Sequence, residues 1–267
     1  MKKAMMYLLL ALGITLVVLF ICGALVGFIF GFIDGFNGVE SGRTSSMNYL
    51  VGVGSVSVIV LCVILNWVFL KYGFANYSLG RIPKSPKSVG LKLVIGTIVA
   101  MIGLAVFEWM FYDKAVSTGN GDAFVMESYS WMLQHPVITI LVMIVVEATA
   151  NLVIYGAVLR EILEWKHRPY PVIYIFALIM SLISLVEGMP DLMMPAFGMA
   201  LFEAALFEYT RSVIPIIIGD VVFWVVMLCI VGFGFPIGGW GFLIAAPMMC
   251  LGGYLAINSM EPYKPID

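Results

Sequence analysis

The feature that most narrows what this chain can fold into is a recurring apolar run of about 20 residues, the helix length that crosses roughly 30 Å of hydrocarbon. Such runs take up nearly all of the 267 residues. They leave no stretch for a soluble domain, and a chain that is 62% apolar and 11% charged cannot cover a water-soluble sphere. An all-α polytopic membrane protein is expected, one integral membrane domain over residues 1–267.

Eight spans are predicted. The first runs from Met5 to Ile33 behind Met1-Lys2-Lys3. Its apolar core far exceeds the roughly 7 to 15 residues of a signal-peptide h-region, so it reads as an uncleaved span. Gly23, Gly27, Gly31 and Gly35 form a ladder of small residues on it, suited to close helix packing. The others cover about Tyr49–Leu70, Leu91–Phe111, Pro136–Leu159, Val172–Leu185, Leu192–Tyr209 and Val213–Val231, with the last ending near Asn258. The longest connection, Asp113 to His135, contains a Thr118–Asp122 turn. Val125, Tyr129, Met132 and Leu133 follow at the spacing of a surface helix.

Basic residues test that count independently, because cytoplasmic loops collect Lys and Arg. With the N-terminus inside, Lys2, Lys3, Lys71, Arg81, Lys84, Lys87, Lys92, Arg160, Lys166, Arg168, Arg211 and Lys264 all fall inside. Only Arg43 and Lys114 fall outside. The sequence therefore predicts eight spans with both termini cytoplasmic, and the short loops and lack of a targeting signal point to a bacterial inner membrane. Membrane lipid is the expected surrounding partner, and no basic patch supports nucleic-acid binding. Cys22, Cys62, Cys229 and Cys250 each lie inside an apolar run without metal-ligand spacing, and read as small core residues.

The fourth span carries the polar groups of most interest. Glu147, Asn151 and Tyr155 recur every four residues, so they share one face of an apolar helix. An ionisable group inside such a span is expensive and points to a functional or packing site in the bundle interior. Asn151, Glu203 and Asp220 each lie six to nine residues from the inner end of their span, at roughly 9 to 14 Å depth, and could meet at one level. Glu147 lies one turn deeper. Carboxyls at that depth are expected to be protonated, hydrogen-bonded or paired. Glu108 and Glu203 are read first as groups that hold helices together, while Glu147 and Asp220 have equal claim to chemistry.

Through ANLVIYGAVLREIL, IFALIM with Phe176 and Met180, and the paired spans Pro195 to Trp224, the stretch from about Pro136 to Val231, residues 136–231, resembles the CAAX protease and bacteriocin-processing (CPBP) family of intramembrane metalloproteases. ANLVIYGAVLREIL, Ala150 to Leu163, is similar to the family's first motif, and Gly156 matches it. IFALIM resembles the second motif, with Phe176 in place and Met180 where a histidine is expected. Pro195 to Trp224 is similar to the final pair of spans, with Asp220 at the second histidine position and Trp224 at the following Asn or Asp position. The departures are specific. The glutamate pair is replaced by Ala150 and Asn151, the arginine by Tyr155, and both histidines are gone. Zinc chemistry needs nitrogen, thiolate or carboxylate ligands and an activated water. The set left by the resemblance is an amide, a thioether and one carboxylate, and His135 and His167 lie at opposite membrane faces. A fold of this family without its protease centre is expected, with no cofactor and zinc only if the ligand set lies elsewhere.

The expected function is therefore a non-catalytic binding or scaffold protein. Its cytoplasm-facing cavity would be lined by Glu147, Asn151, Tyr155, Met180, Glu203 and Asp220. The resemblance implies a hydrophobic peptide, a partner helix or a lipid-modified chain as ligand. The alternative is an active CPBP-type endopeptidase using Glu147, Asn151 and Asp220. An aspartyl intramembrane protease is suggested by Gly219-Asp220 and Tyr112-Asp113, but Asp113 lies at the outer face and Asp220 in the inner third, too far apart for a carboxylate dyad. A small proton-coupled transporter using Glu147 and Asp220 ranks third, since no inverted repeat is visible.

Overall fold

A computed structural model describes residues 2–37, 47–72, 87–117, 132–166, 169–186, 190–234 and 239–258. Among them all regular structure is helical, with no strand. Helix α1 covers Lys2–Asn37, α2 Met47–Lys71 and α3 Lys87–Ser117. Helix α4, Pro136–Val153, passes through a π-helical segment, Ile154–Leu159, into α5, Arg160–Lys166. Then come α6, Pro169–Ser181, the short α7, Ile183–Val186, α8, Met193–Thr210, α9, Ile214–Phe233, and α10, Phe242–Asn258.

Five segments are long and apolar enough to cross a membrane: Lys2–Cys22, Gly90–Phe111, Pro136–Glu164, Pro190–Thr210 and Ile214–Phe233. Ser57–Lys71, Pro169–Leu185 and Phe242–Asn258 are shorter apolar helices. These mark a helical membrane protein. Helices suit that setting because they satisfy their own backbone hydrogen bonds where no water can. Large apolar side chains such as Leu9, Leu16 and Phe20 of α1, and Tyr174, Ile175 and Ile179 of α6, point outward.

Local chemistry sets the helix ends. Proline occupies the opening positions of α4 and α9, where its missing N–H is not needed. Helix α9 stops at Gly234, whose φ of 61° places it in the left-handed region that glycine enters at no steric cost. Between α8 and α9 the chain reverses through Arg211 and Ser212, with Arg211 at φ 51° and its N–H donating to the Phe207 carbonyl. The Ile214 N–H donates to Ser212 Oγ at 3.3 Å and starts α9.

Helices α3 and α10 make the most extensive pairing. A Cβ added at Gly96 would lie 2.4 Å from the Ala256 nitrogen, and one at Gly252 would lie 2.3 Å from the Ala100 nitrogen. The two backbones therefore touch. On its other side α3 packs against α9, where a Cβ on Gly219 would meet Met101 and Thr97. Helices α1, α2 and α4 form a second group around Tyr7, Phe69, Leu152 and Ala157.

The Gly23 to Gly35 ladder lies on α1, but its side-chain surroundings fall outside the described residues. So do the Thr118–Asp122 turn, Val125, Tyr129, Arg43, Arg81, Lys84 and His167. Met132 and Leu133 belong to a single helical turn just before α4.

Candidate functional site

The stripe on α4 meets α8 and α9. Glu147 Oε1 accepts a hydrogen bond of 2.8 Å from the Trp224 indole N–H. One turn on, Asn151 Nδ2 donates to Asp220 Oδ2 at 2.5 Å. One turn further, Tyr155 Oη donates to Glu203 Oε2 at 2.5 Å. Three residues at four-residue spacing thus bond three different side chains on two other helices. The Glu203 and Asp220 carboxyls also come within hydrogen-bonding reach of each other.

The short α8–α9 connection sets this register. Glu203 lies seven residues before Thr210 and Asp220 six after Ile214, so the two stand about 9 to 11 Å from the turn on adjacent helices. Gly219 lets α3 press against α9 beside Asp220. Asn151, Tyr155, Glu203 and Asp220 are all buried, Asp220 to the point of 1% exposure.

Leu152, Val153, Val158 and Leu159 of α4 and the π segment are buried among neighbouring helices. Tyr155 packs its ring against Phe176 of α6, 5.5 Å between centroids, and against Phe207 of α8. Met180 is partly buried against the same apolar cluster. Gly156 is buried in the π segment, and Ala150 is partly buried on α4.

A void beside Glu147 and Trp224, lined also by Ile140, Met143, Ile144 and Val221, has a volume of about 10 Å³. That is about the space of one water molecule. Among the described residues no three His, Cys, Asp or Glu side chains are arranged to hold a metal ion. No known protein family, curated protein or solved structure matches the chain.

Two features here carry no sequence signal strong enough to single them out. The Asn66 amide on α2 donates to Thr149 Oγ1 at 2.6 Å and to the Cys62 carbonyl at 2.9 Å, tying α2 to the face of α4 beside the stripe. An apolar run with a lone asparagine is the only hint of it. The π segment is the other. Its widened turn, closed by the Arg160 N–H reaching back to the Tyr155 carbonyl, carries Tyr155 at its start. Such turns inside α-helices are frequent at functional sites.

Proposed function

We propose that this chain is a non-catalytic binding or scaffold protein of the membrane, built as eight spans with both termini in the cytoplasm and similar in plan to the CPBP family. Five long and three shorter apolar helices, and the 12-to-2 division of basic residues, support the span count and orientation. A bacterial inner membrane is the location that fits its short loops.

The single observation that carries the reading is the Asn151–Asp220 hydrogen bond. Two of the three positions at which the resemblance would place metal ligands are bonded directly to each other, and the third, Met180, packs among apolar side chains beside Phe176. An amide and a thioether are poor zinc donors, and Asp220 already spends one oxygen on Asn151. This donor set does not fit zinc. Glu147, the remaining acid on the stripe, is held by Trp224 instead of facing an open ligand position.

The ligand is a hydrophobic peptide, a partner helix or a lipid-modified chain. The cavity lined by Glu147, Asn151, Tyr155, Met180, Glu203 and Asp220 admits it from the cytoplasm only when α4 parts from α8 and α9. Metal analysis of protein purified in mild detergent without chelator tests the reading, and it predicts well under one zinc per chain. Stoichiometric zinc together with cleavage of a lipid-modified peptide would replace it with the endopeptidase. A second reading, a proton-coupled carrier, draws on the gathering of Glu147, Glu203 and Asp220 around one point. Substrate flux in vesicles that collapses on E147Q or D220N would favour it.

A further inference from the structure

We propose that Glu203 and Asp220 form a single proton-binding site, a carboxyl pair that holds one shared proton in the interior of the bundle. Counting donors leads there. Glu203 Oε2 accepts from the Tyr155 hydroxyl, and Asp220 Oδ2 accepts from the Asn151 amide. Asp220 Oδ1 is fully buried and receives no amide, hydroxyl or ring N–H. The Glu203 carboxyl lies within hydrogen-bonding reach of the Asp220 carboxyl. Two ionised carboxylates offer only acceptors, so that contact is a hydrogen bond only when one of them carries a proton.

Charge leads to the same place. Among the described residues, the groups that act on the pair are Glu147, Asn151 and Tyr155 from the α4 side. Around them, α9 adds Trp224, which is committed to Glu147, α3 brings Thr97 and Met101 against Gly219, and α6 brings Phe176 and Met180 against Tyr155. None of these is a cation. Two adjacent charges in a low-dielectric interior without a counter-ion are prohibitive, and one proton removes one of them while supplying the missing donor. A metal cation would need several oxygens directed at it, whereas Asp220 Oδ2 and Glu203 Oε2 are already occupied. The proton is the ligand of matching size and valence. This assignment is independent of what the bundle binds elsewhere.

Both single amide variants keep every hydrogen bond. In E203Q the new carbonyl oxygen accepts from Tyr155 and the new NH₂ donates to the Asp220 carboxylate. In D220N the new NH₂ donates to Glu203 and the oxygen accepts from Asn151. Infrared spectra of protein in phosphatidylcholine vesicles at neutral pH, read at the carbonyl stretch of protonated carboxyl groups, test the site. E203Q and D220N each lose one such band of equal amplitude, and the double variant E203Q/D220N loses no more than either. E147Q keeps it. A band left undiminished by either substitution, or losses that add in the double variant, would overturn the shared proton. If one variant does not fold, the other decides by the same criterion, and failure of both contradicts the isosteric bonding argued here. Exchange of potassium for sodium at fixed pH leaves the band in place, and its loss on adding sodium would reassign the site to a metal cation.

Discussion

Two of the seams in this bundle work in opposite ways. Between α3 and α10 the helices meet through Gly96, Ala100, Gly252 and Ala256, backbone against backbone, with no room for a single added carbon. Between α4 and the α8–α9 pair they meet through six polar side chains that reach across to one another. In lipid, where burial of apolar surface gives no advantage between helices, these are the two available ways to associate: close van der Waals approach and interhelical hydrogen bonds. The first tolerates no increase in size. The second tolerates changes of chemistry that keep the donors and acceptors matched.

Substitution separates the two, and the α3–α10 seam should respond most. G252V places a branched side chain where even one carbon would lie 2.3 Å from the Ala100 nitrogen, and neither backbone can yield. It should cost about 3 kcal/mol, the upper end for overpacking, in reversible unfolding from micelles. A loss under 1 kcal/mol would mean the two helices are not in backbone contact.

N151L comes next, because it strips Asp220 Oδ2 of its amide donor in a buried place. Leaving such a group unsatisfied costs about 1–3 kcal/mol. The double substitution N151L/D220L removes both ends and should recover part of the loss. Simple additivity of the two would dissolve the pairing.

Y155F removes one hydroxyl and leaves the ring packed on Phe176 and Phe207. Interhelical hydrogen bonds in membranes average about 0.6 kcal/mol and reach about 1.7, so a loss near 1 kcal/mol is expected in the same unfolding measurement. W224F, which deletes the indole N–H held by Glu147, should fall at or below the lower of those figures.

E203Q should change stability least, by less than about 0.5 kcal/mol, since the amide reproduces the donor and the acceptor at that position. A destabilisation as large as that of N151L would place a bare carboxylate at Glu203 and set the two acids apart.

Much of the polar seam is legible from local spacing. Helical periodicity alone places Glu147, Asn151 and Tyr155 on one face, since four residues return the chain close to the same azimuth. The three-residue link Arg211-Ser212-Val213 is short enough to fix the relative height of Glu203 and Asp220. Which partner each group takes is not legible, because that depends on the rotation of α8 and α9 about their own axes. Trp224 in particular stands at a motif position by resemblance, yet nothing in the sequence pairs its N–H with Glu147. The α3–α10 seam is harder still. Gly96 and Gly252 lie on helices far apart in the chain, and glycines in an apolar run mark a place where something can approach without saying what.

From its residues alone the chain already had to be helical and to live in lipid, because long apolar runs cannot satisfy their backbone in any other form there. They also set a row of polar groups along one face of α4, a consequence of the helical repeat. Only the packed bundle decided that these groups would bond to one another. Helix rotation and pairing depend on contacts between distant segments, and no local pattern carries that information.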